Sequence, residues 1–148
     1  MKLNEKQHAL IERIGIFHER VGIQPVAGRI MGLLYVSDRP ELSFDEIRET
    51  LGISKSATSN ALNLLQQLNR IDYITFNGDR RRYFRLNLRR WRDSFANEID
   101  SITDFSITLQ EVVAMRPPET VEFNKDIVEL AGFLKYLHAE IPLLLKRW

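Results

Sequence analysis

The chain has 148 residues, of which 44% are hydrophobic and 28% charged, and it contains no cysteine. This composition is typical of a soluble globular protein with a full hydrophobic core, and it excludes disulfides and thiolate metal sites. No apolar run approaches the roughly 18–20 residues of a membrane span, and the N-terminus lacks the apolar core of a secretory signal. We therefore expect a cytoplasmic protein without a membrane partner.

The formal net charge of +1 conceals a segregation of charge along the chain. Residues 53–92 carry nine Lys or Arg against two Asp or Glu, whereas residues 93–148 carry five against ten. A basic middle segment indicates either a surface for a polyanion or an ordinary solvated face.

The first predicted elements are helices with apolar residues at spacings of 3 and 4, over 3–22 and about 26–37. Ser43 and Glu46 match a capping box, which predicts a short helix that Gly52 ends. Ser54 is the next candidate N-cap. The helix after it, which extends to about residue 69, is predicted to bury Ala57, Ala61, Leu64, Leu65 and Leu68.

A β-hairpin is predicted next. Residues 71–76 are rich in β-branched and aromatic side chains, residues 77–80 form a turn cluster, and residues 81–86 have the pattern of a return strand. The expected loop has about four residues.

Two long helices complete the chain. Heptad spacing on the first places Leu88, Trp91, Phe95, Ile102, Phe105, Leu109 and Val112 on one side, and the second begins near residue 124. Such faces indicate helix–helix packing. We predict one compact domain, with a DNA-binding region over 23–88 and a helical dimerisation region over 1–22 and 89–148. The residues assigned to the dimer interface are Leu130, Leu134, Leu137, Ile141 and Leu144.

The order of these parts indicates a function. A capped helix, a glycine turn, a helix with a short polar face and a basic hairpin are the parts of a winged helix-turn-helix, in which the second helix enters the major groove of DNA. Ser and Thr are weak helix formers, so a helix face made of them favours binding over an ordinary polar surface. The predicted DNA contacts on this helix are Ser54, Lys55, Ser56, Thr58, Ser59, Asn60 and Asn63.

Three arginines follow the predicted hairpin turn. Arg80, Arg81 and Arg82 lie at or just past its tip, a position suited to phosphates or the minor groove. The alternative is a charged edge that protects the hairpin from aggregation. We predict DNA contact, though not by all three, because neighbouring strand residues alternate between faces.

These motifs resemble a known family. The sequence LGISKSATSNAL at residues 51–62 resembles the turn and recognition helix of MarR-type winged-helix repressors. The sequence GDRRRY at residues 78–83 resembles their wing and contains their Asp-x-Arg pattern. Residues 25–34 and 42–47 are similar to the GbsR-like subgroup. The resemblance covers roughly residues 22–90.

The resemblance implies a mainly α fold with a small β-hairpin wing, in which long helices form the dimerisation region. It implies a homodimer that binds a palindromic double-stranded DNA operator and represses transcription, and it suggests control by a small-molecule effector. It carries over no effector-binding residue. The short loop predicts shallow penetration of the groove.

The other candidate sites are weak. His8, His18 and His138 lack metal-ligand spacing, and no nucleophile or phosphate-loop motif is present, so we expect no enzyme activity, cofactor or metal. The competing function is a winged-helix protein–protein interaction module, but such modules usually lack a basic wing and a Ser/Thr/Asn face. A set of aromatic residues fits either a cationic-ligand pocket or, as we expect, core or dimer packing: Phe17, Trp91, Phe95, Phe105 and Tyr136.

Overall fold

The structure is a computed structural model that describes residues 2–148. It is mainly helical, as the sequence predicts, and its three-stranded antiparallel sheet contains the predicted hairpin. The elements are α1 (Glu5–Arg20), α2 (Pro25–Val36), β1 (Glu41–Ser43), α3 (Phe44–Leu51), α4 (Lys55–Gln67), β2 (Ile71–Ile74), β3 (Tyr83–Leu86), α5 (Trp91–Met115) and α6 (Val121–Arg147).

The chain divides into two compact units, one up to Leu88 and one from Arg89 to Trp148. We expected one compact domain, with the first helix grouped with the C-terminal helices. The structure instead includes α1 in the first unit, where it packs against α2.

Helices α1 and α2 approach closely because glycines lie where the two helices meet. A Cβ atom on Gly32 would lie 2.9 Å from the carbonyl oxygen of Ile11, and one on Gly28 would lie 3.1 Å from the carbonyl oxygen of Gly15. The distance at Gly32 leaves no room for a Cβ atom, and the distance at Gly28 is tighter than an ordinary van der Waals contact. The two glycines therefore set the separation of the helices that support the core.

The helix-turn-helix follows its capping residues. The Ser43 hydroxyl accepts from the Glu46 amide, and the Glu46 carboxylate accepts from the Ser43 amide, which confirms the predicted capping box. Gly52 has φ 63° and ends α3 in the left-handed conformation, also as predicted. The core beneath these helices includes the fully buried residues Ile30, Leu33, Leu42, Ile47, Leu62 and Leu65.

The sheet has the order β1-β3-β2. Leu42 of β1 lies opposite Phe84, and Ile74 of β2 lies opposite Tyr83. The sequence did not predict β1, because three residues are too short to show a strand pattern. The hairpin is confirmed, but the prediction of a four-residue loop is wrong, since the strands end at Ile74 and resume at Tyr83.

A local turn explains the longer loop, residues 75–82, which we call the wing loop. Gly78 adopts φ 81°, and the Asp79 carboxylate accepts from the amide of Arg81 at 2.9 Å. This turn occupies the amide of Arg81, which a return strand would have used in the ladder. Arg81 and Arg82 therefore lie in the loop rather than in β3.

In the second unit, α5 and α6 pack through a small apolar cluster and a few buried polar side chains. Leu109 packs with Ala131 and Leu134, and Oγ1 of Thr103 lies 2.8 Å from Nδ1 of His138. Most of the predicted heptad face of α5 is instead exposed, including Trp91, Phe95, Ile102 and Phe105, and Leu88, which precedes α5, is exposed as well.

Candidate nucleic-acid interface

Helix α4 begins directly after the turn that contains Gly52. The Ser54 hydroxyl accepts from the amide of Ala57 at 3.1 Å and caps the helix, and it also lies 3.2 Å from the Ser56 hydroxyl. Ser54 therefore determines where α4 starts, while its side chain remains at the surface.

Thr58 does not belong to the exposed face of α4, and its prediction as a DNA contact is wrong. Its side chain is 0% exposed, and its hydroxyl donates to the carbonyl oxygen of Ser54 at 2.9 Å. A threonine can be buried in a helix once its hydroxyl bonds to the preceding turn. The buried face of α4 also differs from the predicted one. Leu68 is exposed, and the buried residues are Thr58, Ala61, Leu62 and Leu65.

The remaining predicted residues form one surface along α4, which we call the polar stripe: Lys55, Ser56, Ser59, Asn60 and Asn63. All are exposed except Ser59, which is half-buried. Positions 56, 60 and 63 follow one another at helical spacing and so lie on one side of the helix. Their hydroxyl and amide groups both donate and accept hydrogen bonds, as binding to base edges and phosphates requires.

The wing loop is organised around the carboxylate of Asp79. This carboxylate accepts from Nη2 of Arg81 at 2.6 Å and from the Tyr83 hydroxyl at 2.8 Å. The hydrogen bonds, led by that of the Arg81 side chain, lower the pKa of Asp79 well below its usual range, and they raise the pKa of Arg81 and of Tyr83. Arg81 is thus held in one orientation at the protein surface.

Arg82 lies beside α4, although the sequence predicts a place at or just past the loop tip. Its guanidinium is 4.8 Å from the centre of the Phe44 ring. With Ser59 and Asn63 it lines a groove of about 200 Å³ between α4 and the sheet. Arg80 is exposed and forms no ion pair within residues 2–148.

The groove also contains residues that sequence reasoning did not include. Gln66 of α4 and Tyr73 of β2 line it. Gln66 follows Asn63 by three positions, so helical spacing could have identified it. Tyr73 could not be placed there without the fold, because it comes from a different element.

The residues predicted for dimerisation have different surroundings. Leu134 is 8% exposed and packs against Leu109 and Ala131 within its own unit, so its assignment to an interface is corrected. Leu130 and Leu144 are 47% and 54% exposed, and Leu137 and Ile141 are half-buried.

The aromatic set also lies outside the core. All five rings are exposed, so core packing within this chain is excluded for them, whereas dimer packing stays a prediction. Within residues 2–148 no three His, Asp or Glu side chains are placed to hold a metal ion. No helix in that part of the chain has both the length and the hydropathy needed to cross a membrane.

Known sequences match part of this chain. The sequence model of the MarR family matches residues 21–82. The HTH-type transcriptional regulator MmpR5 of Mycobacterium tuberculosis is 34% identical over 76 residues, which are 51% of this chain. The match spans about half of that protein, 46% of its length.

A solved structure of a transcriptional regulator has a TM-score of 0.70 to this chain at 20% identity, covering 97% of this chain and 99% of the other. The S. aureus MepR–DNA complex has a TM-score of 0.46 at 20% identity, covering 87% and 92%. The first likeness shows the fold, and together with the family match it confirms the predicted winged helix-turn-helix.

Proposed function

We propose that this chain, whose residues 21–82 match the MarR family, is a double-stranded DNA-binding transcriptional regulator. The observation that carries the proposal is the pairing of an exposed polar stripe on α4 with a wing loop in which Asp79 holds Arg81. The excess of basic residues over 53–92 supports a polyanionic partner. The similarity to MmpR5, which is named as a transcriptional regulator, supports the same function.

The two parts of the interface have different tasks in this proposal. Asn60 and Asn63 contact base edges, because amide side chains form paired hydrogen bonds with adenine in the major groove. Arg80 and Arg81 contact phosphates, which fix the orientation of the protein on the duplex without selecting a sequence.

We further propose that the protein acts as a homodimer on a palindromic operator and represses transcription. The exposed apolar residues of α6, among them Leu130 and Leu144, support an interface with a second copy. An isologous dimer presents two α4 helices related by a two-fold axis, and such a protein selects a palindrome.

The proposal includes membership of the GbsR-like subgroup, a cytoplasmic location and control by a small effector. The subgroup assignment is supported by the resemblance of residues 25–34 and 42–47 to that subgroup.

Selection of bound sites from random double-stranded DNA tests the function. We expect inverted half-sites with centres about 10 base pairs apart, the spacing of one helical turn. The same selection with Asn60→Ala serves as the control and should lose preference at one position of each half-site. Recovery of sequences without a common motif would contradict sequence-specific regulation, and retention of no DNA would favour a protein-interaction module.

A further inference from the structure

The groove between α4 and the sheet contains polar side chains without partners, and we call it the α4 groove. Its polar lining consists of Ser59, Asn63, Gln66, Tyr73 and Arg82. All five are exposed or half-buried. In the part of the chain that the structure describes, none of these side chains forms a hydrogen bond or an ion pair. Their donors are therefore both accessible and available to a ligand.

The charge of the α4 groove favours an anion. Of the described residues that line it, only Arg82 is charged and none is acidic. Arg81 differs from Arg82, because its Nη2 lies 2.6 Å from a carboxylate oxygen of Asp79. All five polar side chains of the groove can donate a hydrogen bond, and the guanidinium can only donate. An anion therefore finds both charge and donors in the groove, whereas a cation finds no carboxylate.

Arg82 is held at the α4 groove by two contacts with Phe44. Its carbonyl oxygen accepts from the Phe44 amide at 2.9 Å, and its guanidinium lies 4.8 Å from the centre of the Phe44 ring. A guanidinium that stacks on a ring keeps its N–H edge free for a bidentate bond with a phosphate. Because Arg82 lies in the wing loop rather than in β3, the alternation of strand residues does not exclude it from DNA contact beside Arg80 and Arg81.

The other walls of the α4 groove are apolar. Phe44, Leu62 and Phe84 line it and are at most 7% exposed, and the Tyr73 ring lies 5.8 Å from that of Phe84. Such walls offer packing to the carbon atoms of a sugar but nothing to a bare inorganic anion. A cavity of roughly 150 Å³ accommodates benzene, so a groove of about 200 Å³ has room for a five-membered sugar ring and its phosphate.

We propose that the α4 groove binds one sugar–phosphate unit of the DNA backbone in each half-site, with Arg82, Tyr73 and Gln66 donating to the phosphate. This inference rests on the proposed function. Ser59 and Asn63 belong both to the polar stripe and to the groove, so a phosphate bound there lies next to the bases that α4 contacts. Backbone contacts fix the register of a protein on the duplex without selecting a sequence. The groove therefore sets the register of α4 in the major groove.

The test replaces single phosphates in one half-site of the selected operator by neutral methylphosphonates and measures binding of the full chain. For the wild type, replacement of the phosphate in the groove should weaken binding by roughly tenfold, the value of a hydrogen bond to a charged group. For Arg82→Gln, the same replacement should cost less than about twofold, because the contact is already absent. Arg81→Ala is the control and should keep the tenfold cost at that position, since Arg81 contacts a different phosphate. An undiminished cost at every position in Arg82→Gln, or the same loss of sensitivity in Arg81→Ala, would overturn the site.

A second variant removes only one hydroxyl. Tyr73→Phe keeps the ring beside Phe84 and should weaken binding to operator and random DNA alike by roughly three- to tenfold, the value of one or two hydrogen bonds. Tyr35→Phe is the matched control, because Tyr35 is 48% exposed, Tyr73 is 47% exposed, and Tyr35 does not line the groove. Circular dichroism reports whether each variant folds, and Tyr73→Phe decides the site if Arg82→Gln does not fold. Equal affinities of the two tyrosine variants, or an altered base preference of Tyr73→Phe, would contradict a phosphate contact.

Two neighbouring glutamines complete the test. Gln66→Ala should reduce the cost of the same methylphosphonate, whereas Gln67→Ala should not, because only Gln66 lines the groove. Equal costs in the two variants would remove Gln66 from the site. Operator binding by the wild type without any dependence on Arg82 would overturn the groove contact and leave DNA-binding regulation intact. Failure of the wild type to bind any duplex would instead contradict the proposed function, and the groove contact with it.

Discussion

Arg80, Arg81 and Arg82 are consecutive in the sequence, yet their surroundings differ. Arg81 is held by Asp79, Arg82 lies against the Phe44 ring, and Arg80 has no ion pair within residues 2–148. A guanidinium that is ordered before binding loses less conformational freedom when it meets a phosphate. We therefore expect Arg81 to be the principal phosphate-binding residue of the wing loop.

At the residue scale, Asn60 should be a base-reading residue. Asn60→Ala should weaken binding to the selected operator by about 1–3 kcal/mol and relax preference at one base position, because the alanine cannot form the paired hydrogen bond with a base. Fluorescence anisotropy on operator and single-base variants measures both effects. Gln67→Ala, at an exposed position further along α4, is the control. An equal weakening on all sequences would assign Asn60 to the DNA backbone instead.

Glu46 should make the stability of the first unit sensitive to acid. Burial raises the pKa of Glu46, but hydrogen bonds from Ser43 and Arg39 outweigh it and bring that pKa to about 2, below the ordinary 4.5. Because the folded pKa is depressed, the stabilisation is complete above about pH 5 and disappears as the pH falls from 4.5 towards 2. Its size is about 2 kcal/mol after allowance for partial exposure.

Urea unfolding of the wild type and of Glu46→Gln at pH 6 and pH 3 measures this effect. The difference in unfolding free energy between the two proteins should be largest at pH 6 and shrink at pH 3. A difference independent of pH would show that the charge of Glu46 is not the cause.

At the scale of elements, the sequence predicted what local chemistry controls. The capping residues Ser43 and Ser54 and the left-handed Gly52 act within a few positions, so the starts of α3 and α4 and the turn between them could be placed. The burial of Thr58 could not be predicted in this way, because it depends on how α4 packs against its neighbours. The strand β1 was missed for a related reason, since its pairing partner β3 lies about forty residues further along the chain.

The glycines of α2 give an element-scale prediction. Gly32→Ala should destabilise the first unit by about 1–3 kcal/mol, because its methyl group would meet the backbone of Ile11 at 2.9 Å. Gly132→Ala is the matched control, since Gly132 is also helical and a Cβ there meets no atom within 4 Å. The control should be neutral or gain up to about 1 kcal/mol from helix propensity. Equal urea midpoints for the two variants would contradict the close approach of α1 and α2.

At the scale of the whole molecule, charge and apolar surface separate along the chain. The basic residues are concentrated over 53–92, and the exposed apolar side chains of α5 and α6 follow in the acidic part. The heptad pattern of α5 correctly marked an apolar face, but a sequence alone does not show whether such a face packs within one chain or against a second copy. In this chain the face is exposed.

The dimer hypothesis predicts opposite outcomes for two leucines of α6. Leu144→Glu should convert a dimer to a folded monomer, because Leu144 is 54% exposed. Leu134→Glu should instead unfold the hairpin of α5 and α6, because Leu134 is 8% exposed and a buried carboxylate is costly. Light scattering measures the mass of each variant in solution, and circular dichroism measures its helical content. A monomeric wild type, or a Leu144→Glu protein of unchanged dimeric mass, would contradict the proposed interface.

The salt dependence of DNA binding tests the central claim most directly. If the dimer neutralises on the order of 6–10 phosphates, the logarithm of affinity should fall against the logarithm of salt concentration with a slope of about −0.9 per phosphate. Arg81→Ala should weaken binding to operator and random DNA alike and reduce the slope by about one for each phosphate that the variant no longer neutralises. Absence of binding at about 50 mM salt, or an affinity independent of salt, would contradict a DNA-binding regulator.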